Sequence, residues 1–183
     1  MEQPVTEVPP ELELVRSFVN TLDVEAATDE LATVGGLRSW LVGHDLLAAG
    51  DEVGRRDVAL AIELRDAIRR ALLVHAGVPA PPDDLDRLNL VAARLALQVH
   101  FDADGAPTLV PRGDGASAAL ARLLAHVAES RAAGTWERLK VCPAEDCLWG
   151  FYDQSRNRSR RWCSMEVCGN RTKTRAYRRR NSG

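Results

Sequence analysis

The chain reads as an α+β protein: a mostly helical N-terminal body containing one β-hairpin, followed by a small, treble-clef-like four-cysteine module. Three observations predict this. Apolar residues recur near a 3.6-residue period in several segments between Pro10 and Ala133. Leu95, Leu97, Val99 and Phe101 alternate with polar or small residues, which is the period of a strand. All 4 cysteines lie beyond residue 141, in two close pairs.

In chain order, a helix begins at Pro10, with Leu12, Leu14, Val15, Phe18 and Val19 forming its apolar stripe. Asn20, Thr21 and Asp23 are turn and cap formers that end it. Gly35-Gly36 breaks the chain, and a second helix is expected over about 37–49, with Leu37, Trp40, Leu41 and Leu47 toward the core and Gly50 as its stop. The strongest helical pattern covers 56–76 through Val58, Ile62, Leu64, Ile68, Leu72 and Leu73, with Glu63 and Asp66 placed to pair with Arg70 and other neighbours. Gly77 and Pro79 to Pro82 end it. Asp83 or Asp84 then caps a helix running to about Ala93. The 95–101 strand turns at Asp102-Ala-Asp-Gly105 and returns over 108–111. An Ala- and Leu-rich helix spans 115–133 and stops at Gly134. Trp136 to Val141 contains no Gly/Ser run or Pro cluster, so the module is expected to dock on the body. The expected organisation is a flexible leader (1–9), a helical domain with a hairpin (10–135) and a metal-binding module with a basic C-terminal helix (136–183).

Composition narrows the function classes. Of 183 residues, 45% are hydrophobic, which supports a packed core and argues against bulk disorder. No apolar run approaches the ~20 residues needed to span a bilayer. Met1 to Pro10 is acidic and Pro-rich, unlike a secretory signal. A cytoplasmic protein without a membrane partner is therefore expected. The net charge of −2 hides an asymmetry. Residues 1–140 hold 14 basic and 22 acidic side chains, a balance of −8, whereas 141–183 hold 10 and 4, a balance of +6. An acidic body with a basic module suits a polyanion partner.

The cysteines follow Cys142-x4-Cys147, fifteen residues, then Cys163-x4-Cys168. Two close pairs at this separation form the pattern of a four-thiolate zinc site. Each pair can sit on a tight loop, and the segment between them can return as a hairpin. Two disulfides or an iron–sulfur cluster are the alternatives. The spacing favours one structural zinc ion, since a closed thiolate shell leaves no position for a reacting water. Trp149 and Phe151 are expected to pack around the metal. Beyond Met165 the chain looks helical to Arg180, with Cys168 in its first turn. Arg156, Arg158, Arg160 and Arg161 precede Cys163. Arg171, Lys173, Arg175, Arg178, Arg179 and Arg180 follow Cys168. Arg171, Arg175 and Arg178 share a helix face, and this set is the candidate nucleic-acid contact. The alternative is a solvated helix whose arginines pair with the acidic body. Arg171, close to Cys168, is also placed to brace the metal loop.

Cys168-Gly169-Asn170-Arg171, the x4 cysteine pairs and the Arg-rich helix together resemble the CGNR zinc-finger family. Phe18-Val-Asn-Thr-Leu-Asp23, the Leu37 to Leu47 segment with Trp40-Leu41, and Leu64-Arg-Asp-Ala-Ile68 resemble the ABATE domain that precedes this finger in bacterial proteins. The resemblance implies a stress-related transcription regulator, with zinc on all four cysteines and a DNA-binding finger. Double-stranded DNA is the expected partner; a small-molecule effector and a homodimer are expectations for the body. No Walker loop, dinucleotide-binding glycine motif or nucleophile elbow occurs, and His44, His75, His100 and His126 are scattered, so no enzyme is expected. Asn20, Asp23 and Trp40 are candidate ligand-binding residues of the body. A zinc-stabilised protein adaptor, or a small-molecule enzyme with the finger for targeting, are the competing readings.

Overall fold

The computed structural model describes residues 7–181. Residues 1–6 of the expected leader lie outside the described residues. Helix α1 (Pro10–Asn20) begins with Pro10 at its first helical position, where a missing N–H does no harm. Leu12, Val15, Phe18 and Val19 are its buried face. A tight two-stranded turn follows, β1 (Leu22–Asp23) pairing antiparallel with β2 (Thr28–Asp29). Asp23 shapes it by accepting the Ala26 N–H at 2.9 Å. Strands of two residues leave no periodic signal, and this pair was not expected.

Helix α2 spans Val34–Gly43 and so includes the two glycines expected to break the chain. Thr33 caps it, its hydroxyl accepting the Gly36 N–H at 3.0 Å. Gly36 is there for proximity: a Cβ on it would lie 2.0 Å from the Glu30 carbonyl oxygen. The helix stops at Gly43 rather than near Ala49, and Leu47 reaches the core from the following loop. Helix α3 (Arg55–His75) is the longest. Helix α4 (Pro82–Ala92) is entered through Pro81 and Pro82, so neither aspartate is its cap. Asp83 and Asp84 lie in its first turn, where the helix dipole favours acids. Arg70 pairs with Asp84 at 3.0 Å, Asp66 with Arg65 at 3.1 Å, and Glu63 with Arg94. Neither Glu63 nor Asp66 pairs with Arg70: Asp66 pairs with its neighbour Arg65 within α3, while Arg70 and Glu63 pair with Asp84 and Arg94 outside it.

The body hairpin forms as expected, β3 (Leu97–Phe101) against β4 (Pro107–Pro111), with Leu97 opposite Pro111 and Phe101 opposite Pro107. Helix α5 (Gly115–Ala132) follows and ends before Gly134, whose φ of +70° suits glycine. A 3₁₀ turn (Trp136–Arg138) leads into β5 (Leu139–Val141), which pairs antiparallel with β6 (Gly150–Tyr152). A π-helical turn (Met165–Gly169) and α6 (Asn170–Asn181) close the chain.

The main core joins α1, α2, α3 and α5 through residues such as Phe18, Leu41, Ile68 and Leu120. Leu139, Val141 and Tyr152 from the β5–β6 hairpin belong to the same cluster. The module is therefore docked on α1 and α3. Two arginines are also buried on α3. Arg65 donates to Asp29 at 2.6 Å, and Arg69 donates to the Val19 and Leu22 carbonyls at 2.6 Å each. Together they tie the β1–β2 turn to the body.

Candidate metal centre and basic surface

The cysteine loops are set by local turns. Cys142 directly follows β5, and its N–H donates to the Trp149 carbonyl at 2.9 Å. The Cys147 and Leu148 N–H groups both donate to the Ala144 carbonyl, at 2.9 and 3.1 Å, and Leu148 takes a φ of +51° to complete the knuckle. On the other side, Ser164 caps the π turn by accepting the Val167 N–H, which places Cys168 inward. The four Sγ atoms consequently lie within 4.8 Å of one another. Cys147 and Cys163, and Cys163 and Cys168, are separated by 3.6 Å between sulfurs. A tetrahedron with Zn–S bonds of ~2.3 Å has edges of about 3.8 Å, so the spacing fits one zinc ion. It is far too long for sulfur–sulfur bonds, and all four thiols are free.

The donor set points the same way. Hydrogen bonding from Cys163 lowers the Cys142 thiol to about 5, while burial raises Cys147 to about 12 and the hydrogen bond with Cys142 raises Cys163. Such a cluster prefers one thiolate among protonated neighbours until a cation neutralises the rest. Ala144, Phe151, Trp149 and Trp162 pack around the sulfurs, as expected for the two aromatics of β6 and its approach. The four cysteines make a zinc site, and zinc held there supplies a cross-link between the knuckle and α6.

The segment between the cysteine pairs is anchored from beneath. Lys140, on β5, donates to Asp153 Oδ2 at 2.7 Å and to the Arg158 and Arg160 carbonyls at 2.6 and 2.9 Å. Asp153 also accepts from the Ser155 hydroxyl and the Arg160 N–H. Burial works against the Asp153 carboxylate, yet Lys140 and Ser155 hold its pKa below the ordinary value. Above this lock, Arg156, Arg158, Arg160 and Arg161 are exposed. Among the described residues none of them forms an ion pair with a carboxylate. Arg160 lies over Phe151 at 5.2 Å and Arg161 over Trp162 at 5.7 Å.

Helix α6 is different. Arg171 reaches Glu25 at 3.1 Å and Asp146 at 3.3 Å, and donates to Cys168 Sγ at 3.5 Å. It braces the metal loop to the β1–β2 turn. Arg175 pairs with Asp146 at 2.9 Å. Lys173 and Arg178 are exposed, whereas the side chains of Arg179 and Arg180 lie outside the described residues. The structure thus groups the ten basic candidates into an exposed loop and a helix whose first turns hold carboxylates. The Cys-Gly-Asn-Arg stretch has a physical reading too. Cys168 faces the sulfurs, buried Gly169 lies against Met165, Asn170 starts α6, and Arg171 returns to Cys168.

The three ligand candidates of the body do not share one cavity. Asn20 and Trp40 line a cleft of about 260 Å³ with Ser17, His44 and Trp149. Asp23 lines a neighbouring one of about 290 Å³ beside Cys147, Cys163 and Cys168. Asn20 is committed to the joint between body and module: its side-chain amide donates to the Gly150 carbonyl at 3.0 Å and its oxygen accepts the Gly150 N–H at 2.6 Å. Next to it, His44 Nδ1 donates to the Trp40 carbonyl at 2.8 Å, which leaves Nε2 to accept from Ser17 at 3.0 Å. Twenty-seven residues separate Ser17 from His44, and no local motif in the sequence pointed to the pair.

Both parts of the chain match families. Residues 12–134 match ABATE, described as "Putative stress-induced transcription regulator", and residues 138–181 match the CGNR zinc finger. Among curated proteins none matches the chain. No described helix is long and apolar enough to cross a membrane.

Proposed function

This chain belongs to the ABATE family, and on that premise we propose that it is a transcription regulator gripping duplex DNA with its CGNR finger. The observation that carries the DNA contact is the loop over Lys140. Its carbonyls are tied down while Arg156, Arg158, Arg160 and Arg161 remain exposed and unpaired with carboxylates. A loop backbone already tied down loses little further freedom on meeting phosphate, and guanidinium suits bidentate phosphate contact. Lys173, Arg175 and Arg178 extend the basic surface along α6. Zinc on Cys142, Cys147, Cys163 and Cys168 keeps loop and helix at a fixed separation. The body (10–135) serves in sensing or dimerisation, with the Asn20–Trp40 cleft at the joint as the place for a small effector.

A gel shift with zinc-loaded protein and mixed-sequence duplex tests this reading. Binding at low salt should weaken with a log–log slope of about −0.9 per phosphate, so four loop arginines account for about −3.6. The variant R156A/R158A/R161A should lose three of those four contacts, about 2.7 of the slope, while retaining zinc. Absence of duplex binding at low salt would overturn the proposal. It would favour an adaptor that captures acidic protein segments, a reading suited to the carboxylates already held by Arg171 and Arg175.

A further inference from the structure

We propose that Cys163 is an oxidation site, at which hydrogen peroxide converts two zinc-binding thiolates to a disulfide and releases the ion. This goes beyond the DNA reading and rests only on the zinc site. Of the four cysteines, Cys142 is 0% exposed, Cys168 2% and Cys147 7%, whereas Cys163 is half-buried. The difference has a structural origin. A cleft of about 290 Å³ opens between the β1–β2 turn and the π turn, and Cys163, Cys147 and Cys168 line it together with Asp23, Glu25 and Val167. Cys142 lies behind them, directly after β5, and does not reach the cleft.

Oxidation of thiolates follows access, so reactivity should fall from Cys163 to Cys142. The cleft also selects the reagent. At about 290 Å³ it admits a reagent as small as hydrogen peroxide and bars bulky ones. The chemistry closes without another co-reactant. The Cys163 thiolate attacks one peroxide oxygen, the O–O bond breaks, and the departing hydroxide takes a proton to become water. Cys163 is then a sulfenic acid. A neighbouring thiolate attacks its sulfur, the S–O bond breaks, and the second hydroxide leaves as water after taking a proton. Two thiolates, one peroxide and two protons become one disulfide and two waters. Cys147 and Cys168 both stand at 3.6 Å from Cys163, so either resolves the sulfenic acid after a modest approach to the ~2.05 Å of a disulfide. Each route removes two of the four ligands, and the remaining pair cannot hold the closed tetrahedral site.

The test uses the full zinc-loaded chain, hydrogen peroxide, a chromogenic zinc chelator and peptide mapping after alkylation in denaturant. Zinc should appear in step with one disulfide, and the first bridge should contain Cys163. Dithiothreitol with added zinc should restore the site. Val167→Trp, on an exposed position lining the cleft, should retain zinc and slow its peroxide-driven release several-fold. A first bridge built on Cys142, equal labelling of all four thiols, or unchanged release from zinc-loaded Val167→Trp would overturn the assignment. None of these readouts involves DNA, so failure here and failure of the DNA reading are distinguishable.

Discussion

Replacing Lys140 with methionine removes the cation that holds the basic loop from beneath. Lys140 and Asp153 side chains are only 4% and 0% exposed, and the ammonium satisfies one carboxylate and two carbonyls at 2.6 to 2.9 Å. Methionine keeps most of the aliphatic stem, so the loss is electrostatic rather than a cavity. Removing one partner of a buried ion pair destabilises by about 3–5 kcal/mol. That is a large part of the ~5–15 kcal/mol that typically holds a domain. At about 2–4 °C per kcal/mol, Tm should fall by roughly 6–20 °C. Circular dichroism on zinc-loaded protein at neutral pH measures this. Tryptic cleavage after Arg156 and Arg158 should also accelerate. The sign with pH follows from Asp153. Its folded pKa is lowered, so its contribution is present above the unfolded value near 4 and is lost as pH falls through the folded pKa. Without Lys140 the stranded carboxylate prefers protonation, so the gap between the two proteins should close on acidification below about pH 4. A Tm unchanged to within about 2 °C, with unaltered tryptic cleavage, would refute the role of the lock.

Three further outcomes are expected. Asn20→Ala strips the paired hydrogen bonds from Gly150 and should destabilise by about 2–4 kcal/mol in urea denaturation, from two partly buried backbone groups left unmet. His75 donates to the Leu139 carbonyl at 2.8 Å, and burial lowers its pKa; its contribution is therefore complete above the unfolded value near 6.5 and declines as pH falls below it. His75→Asn, which retains a donor at the Nδ1 position, should show a shallower drop in urea midpoint between pH 7.5 and 5.5 (about one unit to either side of that value). Cys147→Ser should lose zinc by elemental analysis and open the segment after Cys142 to protease, while most of the helical circular dichroism, which arises from α1 to α5, persists.

Much of this architecture was legible from residue order alone. The cysteine spacing located the metal centre because a tetrahedral ion imposes its geometry on any chain that ligates it. The body hairpin, α1 and α3 announced themselves through their periods, and α5 through its Ala- and Leu-rich composition. Features that depend on distant partners were not legible. Gly35-Gly36 reads as a break because nothing nearby shows that Glu30 passes within contact distance of Gly36. Arg65 and Arg69 interrupt the apolar face of α3, and only the folded β1–β2 turn explains how their charge is buried. The pairing of Arg171 with Glu25 spans 146 positions, beyond any local rule, although its closeness to Cys168 hinted at a bracing role. The Ser17–His44 contact likewise depends on how α1 and the end of α2 meet.

The shared hairpin has a consequence for how the molecule can be divided. Leu139, Val141 and Tyr152 are at most 5% exposed because α1 and α3 cover them. A fragment ending at Gly134 would leave an oily trench along those helices, and one starting at Trp136 would carry the matching ridge uncovered. Each half alone would be prone to self-association. Grafting this finger onto another scaffold would therefore require transplanting its seat as well, and any shift of α1 against α3 is mechanically a shift of the strands that carry Lys140 and lead into Cys142.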